Sequence, residues 1–169
     1  CILSLGKDTI GIGTSNGIIL FFAQNNQFRN VEMHFNVMRI FEDSHNELWL
    51  FSKEQRGIVR YDPLTNEQQH YETPTQNMPK AELRSRDVIF EDNQGTLWVV
   101  PHLGCLSYYD REDKELKPYY TDYSKPESKF TPVILNFYVD NQKNFWYANN
   151  FWMDKISFFP NASQLTTFD

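Results

Sequence analysis

Phe41-Glu42-Asp43-Ser44-His45-Asn46-Glu47-Leu48-Trp49 returns as Phe90-Glu91-Asp92-Asn93-Gln94-Gly95-Thr96-Leu97-Trp98 and again as Tyr138-Val139-Asp140-Asn141-Gln142-Lys143-Asn144-Phe145-Trp146. Each copy is an aromatic, an Asp two residues on, a short polar turn, then an apolar residue and Trp. The Asp-to-Trp gap is six residues in all three, and the Trp-to-Trp gaps are 49 and 48. Self-similarity at a fixed period marks a repeat architecture, in which each unit buries its apolar faces against its neighbours.

Around each copy lie short pieces rich in β-branched and aromatic residues, bounded by Asn, Asp, Pro or Gly, as strands are. In one unit they run over 37–43, 47–52, 57–62 and 67–72; in the next over 87–92, 96–100, 105–110 and 116–120; in the last over 134–140, 144–148, 155–159 and 164–168. No ten-residue stretch combines a helical period with caps. An eroded copy precedes them. Ile10-Gly11-Ile12-Gly13-Thr14 replaces the Leu-Trp strand, and Gly17-Ile18-Ile19-Leu20-Phe21 matches Gly57-Ile58-Val59-Arg60-Tyr61. Gly11 stands where the other units have Trp, so this unit must fill its core differently. Four antiparallel strands per unit at this spacing predict an all-β fold: a β-propeller fragment of about four blades, each a four-stranded antiparallel meander. We expect one domain over 1–169 with units about 1–34, 35–82, 83–131 and 132–169. The spacers 73–85 and 121–132 read as loops between blades. Trp49, Trp98 and Trp146, with Tyr61, Tyr109 and Phe159, are the expected repeat core, each Trp buried on the second strand of its blade and filling the interface to a neighbour.

Composition narrows the function. Forty per cent hydrophobic and sixteen per cent aromatic residues describe an ordered chain. The longest apolar run, Ile18 to Ala23, is far short of a membrane span, and we expect no membrane contact by this segment. The net charge of −6 argues against nucleic acid as a partner, because phosphate binding needs clustered Lys and Arg. Cys1 and Cys105 give neither a disulfide framework nor a CxxC pair. The start has no basic region or cleavage site and opens on a strand-like piece, as a fragment of a longer chain would.

The units resemble the two-component regulator propeller repeat. The residues that carry the resemblance are Asp92 to Trp98, Gly104-Cys105-Leu106 and Tyr109-Asp110, with Asp43 to Trp49, Gly57-Ile58 and Tyr61-Asp62 beside them, and Ile10 to Thr14 with Gly17-Ile18. It covers nearly the whole chain. The resemblance implies the extracytoplasmic, periplasmic sensor region of a hybrid two-component system, tuned to an oligosaccharide. It implies further propeller blades and a histidine kinase, neither of which is present in these residues, so the fragment itself is expected not to be an enzyme.

Asp43, Asp92 and Asp140 are the obvious carboxylates. Recurrence at one position in every unit assigns them to the tight turn, accepting backbone N–H bonds, since a catalytic pair needs two different environments. Asp92-Asn93-Gln94-Gly95 lacks the further ligands of a calcium loop. The four His residues, His34, His45, His70 and His102, have no metal-ligand spacing, so no metal and no cofactor is expected. Gly11-Ile12-Gly13 precedes no helix and is no phosphate loop.

The connection between second and third strands differs most between units, and variable loops on a regular scaffold carry ligand contacts. Arg56, His102, Asn149, Asn150 and Trp152 fall there. Together they make a candidate sugar site: an aromatic platform flanked by planar hydrogen-bonding groups. For Trp152 the alternative is packing against a neighbouring blade. The expected partner is an oligosaccharide or another small extracytoplasmic ligand. A protein-interaction scaffold and a carbohydrate-active propeller enzyme are the other classes. Apolar faces at the first and last blade must be covered, by further blades of the full-length protein or by a homodimer.

Overall fold

The computed structural model describes residues 1–6, 8–52, 57–72, 88–100, 107–118, 136–142, 145–148, 153–159 and 162–168. For 153–159 and 162–168 it describes the backbone pairing only. The described residues form sixteen strands in four antiparallel sheets of four, every sheet joined in chain order. The fold is an all-β propeller fragment of four blades.

Blade 1 holds β1 (Ile2–Leu5), β2 (Thr9–Thr14), β3 (Gly17–Phe22) and β4 (Gln27–Glu32). Blade 2 holds β5 (Arg39–Glu42), β6 (Leu48–Phe51), β7 (Ile58–Tyr61) and β8 (Gln68–Tyr71). Blade 3 holds β9 (Val88–Glu91), β10 (Leu97–Val100), β11 (Ser107–Asp110) and β12 (Glu115–Pro118). Blade 4 holds β13 (Asn136–Val139), β14 (Phe145–Ala148), β15 (Met153–Phe159) and β16 (Ala162–Phe168). The last hairpin is longer than the sequence predicts, with Phe159 paired to Ala162 and Met153 to Phe168. The chain divides into two compact units, Cys1–Glu72 with blades 1 and 2, and Thr73–Asp169 with blades 3 and 4. The spacers 73–85 and 121–132 lie outside the described residues.

Turn chemistry fixes the register. The first hairpin of a blade has a left-handed residue at one equivalent position: Asp8 (φ 57°), Asn46 (φ 62°) and Gly95 (φ 78°) in blades 1 to 3. The third hairpin has another, filled by Asn26, Asn66 and Lys114 at φ 54–63°. Asn, Asp and Gly tolerate this region better than other residues do. Lys114 departs from that rule. Gly17 and Gly57 open the third strands of blades 1 and 2 with φ of 128° and 108°. A Cβ there would lie 2.1 Å from the Val31 carbonyl oxygen, or 2.0 Å from that of Tyr71.

In the first unit the two blades share one apolar cluster. Leu5, Ile18, Leu20 and Val31 of blade 1 meet Ile40, Leu48, Leu50, Val59 and Tyr61 of blade 2, with Met33, Phe35 and Val37 of the connection. Trp49 is fully buried but does not belong to this cluster. Trp49 therefore takes no part in the seam with blade 1. Successive strand residues point to opposite faces, so Leu48 and Leu50 face blade 1 while Trp49 is on the other face, its ring 5.8 Å from that of Tyr71. Bonds across the same seam run from Gly6 N to Glu42 Oε2 (2.8 Å) and from Arg29 Nη2 to the Pro63 carbonyl (3.0 Å).

Strand pairing confirms that Gly11 occupies the Trp position, since Gly11 pairs with Leu20 as Trp49 pairs with Arg60. By the same register Leu5 occupies the Asp position. A Cβ on Gly11 would meet Leu5 Cδ1 at 3.2 Å and Ile40 Cδ1 at 3.4 Å. The first blade has therefore replaced a polar couple by an apolar one, Leu5 and Ile40 taking up the room next to Gly11.

Candidate functional site

The repeat carboxylates are scaffold. Asp43 Oδ1 accepts the backbone N–H groups of His45 (2.9 Å) and Glu47 (3.0 Å), while Oδ2 accepts the indole N–H of Trp49 (2.9 Å). Asp92 does the same for Gln94 (2.8 Å), Thr96 (3.0 Å) and Trp98 (2.8 Å). Asp140 accepts from Gln142 (2.9 Å) and Trp146 (2.9 Å). One side chain closes the turn and anchors the indole. Trp49 and Trp98 are buried. Trp146 keeps its bond but is only half-buried, not buried as the sequence predicts, and its cross-strand partner Tyr138 is 64% exposed. Blade 3 covers the corresponding pair, with Phe90 buried and stacked 6.5 Å from Trp98. Tyr61 and Tyr109 are buried. The side chain of Phe159 lies outside the described residues, as do Arg56, His102, Asn149, Asn150 and Trp152, so the predicted loop site is not brought together or separated by this structure.

The described residues carry a different site. Antiparallel pairing puts the β9–β10 and β11–β12 turns at one end of blade 3, opposite the end where β10 finishes at Val100. Between those turns, on the face that carries Trp98, lies an open groove of about 750 Å³, within the roughly 300–1,000 Å³ typical of small-molecule sites. Its floor is aromatic: Trp98 and Tyr108 are cross-strand partners with ring centroids 5.8 Å apart, and Tyr109 adds to the lining. Its sides are polar, with Gln94 and Thr96 from one turn and Asp110, Arg111 and Glu112 from the other. Beside Gln94, Asn93 Nδ2 donates to the Gln142 carbonyl of blade 4 at 3.0 Å.

Two residues at the groove differ in kind from their counterparts in blade 2. Tyr108 pairs with Trp98 as Arg60 pairs with Trp49, and Thr96 stands two residues before its Trp as Glu47 does. In blade 2 the Arg60 guanidinium bridges to Glu47, with Nε 2.7 Å from Oε1. Blade 3 has a phenol and a small hydroxyl instead, which leaves an aromatic face accessible between two polar walls.

The third hairpin supplies the electrostatics. Asp110 Oδ1 accepts the N–H groups of Glu112 (3.0 Å) and Asp113 (3.1 Å), and Oδ2 accepts from Lys117 Nζ (2.7 Å). Lys117 and then these N–H groups hold the Asp110 carboxyl below the usual carboxylate range, while the bonds to Asp110 and Asp113 raise the Lys117 ammonium. Arg111 lies over the Tyr109 ring at 5.7 Å and 3.9 Å from Glu91. In blade 2 the equivalent Asp62 is also held low, chiefly by the Leu64 N–H, and burial pushes the Tyr61 hydroxyl up while it donates to Asn66 (2.9 Å). The described residues contain no cluster of three or more His, Cys, Asp or Glu side chains fit for a metal ion, and no helix long and apolar enough to cross a membrane. Cys1 is exposed with a free thiol.

No family profile matches the chain, and no curated protein matches it in sequence. Solved structures do match. The extracellular domain assigned to the hybrid two component system BT3049 of B. thetaiotaomicron superposes with a TM-score of 0.65 at 20% identity, over 100% of this chain and 22% of that one. The corresponding domain of BT4673 from the same organism gives 0.67 at 23% identity, over 98% of this chain and 24% of that one. Virginiamycin B lyase from Staphylococcus aureus gives 0.69 at 15% identity, over 99% and 54%. The chain thus spans about a quarter of the two sensor domains and about half of the lyase. At these identities the likeness speaks for the fold.

Proposed function

We propose that this chain is a ligand-recognition segment of an extracytoplasmic sensor propeller, that it is not itself an enzyme, and that it holds a saccharide in the blade 3 groove. The observation that carries the reading is the aromatic floor of Trp98 and Tyr108 between two hydrogen-bonding walls. Pyranose rings present an apolar C–H face and a rim of hydroxyls, and an aromatic ring with one wet face matches that chemistry. The amide of Gln94 and the hydroxyl of Thr96 suit the rim. Three features support the wider assignment: the sequence resemblance to sensor propeller repeats, the fold likeness to two such extracellular domains, and the full hydrogen-bond occupancy of Asp43 and Asp92, which leaves those carboxylates no acid/base role.

The test is calorimetric titration with a panel of neutral oligosaccharides against wild type, Tyr108→Ala, and the double variant Thr96→Glu/Tyr108→Arg. The double variant installs the ion pair that blade 2 already holds on the same framework, so it closes the groove without asking the fold for a new arrangement. Loss of the platform should weaken binding by about 1–3 kcal/mol, and the double variant should abolish it. Unchanged binding in both variants places the ligand elsewhere; binding of no saccharide by wild type removes the reading.

A further inference from the structure

Resting on that reading, the charges around the groove sort its ligands further. Two carboxylates line the groove, Asp110 and Glu112, and the first is met by a cation. Asp110 is met by Lys117 at 2.7 Å, and Lys117 also contacts Asp113. Arg111, the one cation lining the groove among the described residues, is drawn 3.9 Å from Glu91 and lies over Tyr109. Glu112 is left over. It lines the groove and is exposed, its backbone N–H is committed to Asp110, and its carboxylate has no partner among the described residues. An accepting carboxylate at the rim of an aromatic groove has nothing to offer an anionic substituent and an ion pair to offer a cationic one.

We infer that the groove selects saccharides bearing a free amino group, the ammonium meeting Glu112 while the ring lies on Tyr108, and that it discriminates against uronic and sulfated glycans. The chain's overall charge of −6 acts in the same direction at long range.

Three β-1,4-linked hexasaccharides of the same ring configuration isolate the charge: glucosamine, glucose and glucuronic acid oligomers, titrated at about pH 6, where the amine is protonated. Wild type should bind the glucosamine oligomer most tightly and the glucuronic acid oligomer at least about tenfold more weakly. The gap should narrow as salt rises from about 0.05 to about 0.5 M. Glu112→Gln should bring the glucosamine oligomer down to the affinity that the same variant shows for the glucose oligomer, the Glu112 backbone bond that shapes the turn being kept. Equal or tighter binding of the glucuronic acid oligomer overturns the charge inference and leaves the saccharide reading standing. A glucosamine preference that survives Glu112→Gln overturns the assignment to this residue. Binding of none of the three overturns both.

Discussion

Asp43→Ala is the most informative single change to the scaffold. Asp43 is buried with 5% exposure and accepts three bonds, two from the backbone and one from an indole that is itself 0% exposed. The backbone donors of His45 and Glu47 sit in a half-exposed turn, so water can replace their partner and each bond contributes about 0.5–1.5 kcal/mol. The Trp49 N–H has no route to water. Left unpaired it costs about 1–3 kcal/mol, at the upper end because the lost acceptor is charged. Asp43→Ala should therefore destabilise the chain by about 3–5 kcal/mol, a large part of the roughly 5–15 kcal/mol that holds a domain folded. A double-mutant cycle with Trp49→Phe isolates the indole bond. Trp49→Phe shrinks the side chain and strands Asp43 Oδ2, and the double variant should cost about 1.5–3 kcal/mol less than the sum of the two single changes. Chemical denaturation with a fixed m-value measures all three. A cost below about 1 kcal/mol for Asp43→Ala, or additivity within about 0.5 kcal/mol, would refute the claim that this couple fixes the turn to the core.

Other expectations follow from the same geometry. Gly57→Ala should cost about 2 kcal/mol or more, because a Cβ would sit 2.0 Å from the Tyr71 carbonyl oxygen at φ 108°; a Tm within two or so degrees of wild type would contradict it. Gly11→Trp should unfold blade 1 or cost more than about 3 kcal/mol, since Leu5 and Ile40 fill the site. Adding Leu5→Asp, which restores the polar couple of the other blades, should recover at least about 1 kcal/mol in urea melts. The Asp110 carboxyl is held low in the folded chain, so its contribution is present above the unfolded carboxylate's pKa and is lost as pH falls through the folded value. The stability difference between wild type and Asp110→Asn should accordingly shrink between about pH 5 and pH 2, and a pH-independent difference would show that Asp110 gains nothing from its charge.

Much of the fold was legible because propeller turns write themselves into sequence. The constant Asp-to-Trp gap of six residues located β5–β6, β9–β10 and β13–β14, and Gly17 and Gly57 aligned the third strands of the eroded and intact units. The indole bond was written there too: in blade 1 Asp and Trp are lost together, as Leu5 and Gly11, which is what a bonded pair does when one partner goes. The face that Trp49 occupies was not legible. Period-2 alternation separates Trp49 from Leu48 and Leu50, but it does not say which of the two faces meets blade 1. The groove escaped for another reason. Tyr108 and Thr96 look like ordinary strand residues until strand register shows that they stand where blade 2 has Arg60 and Glu47. Arg56, His102, Asn149, Asn150 and Trp152 stand out in the sequence by variability between units, which marks a connection free to change without saying what it holds.

The most direct measurement of the central claim is a two-dimensional ¹H–¹⁵N spectrum of the indole N–H groups during titration with a saccharide that binds. The chain's four Trp residues give four resolvable signals, assigned by Trp→Phe substitution. The Trp98 N–H is anchored to Asp92 beneath the groove, so ring currents and electrostatics from a sugar on Tyr108 should move its signal saturably, while that of Trp49, buried in blade 2 beside the Arg60–Glu47 bridge, stays in place. Movement of the Trp152 signal with Trp98 unmoved would contradict the groove and return the ligand to the neighbourhood of Trp152.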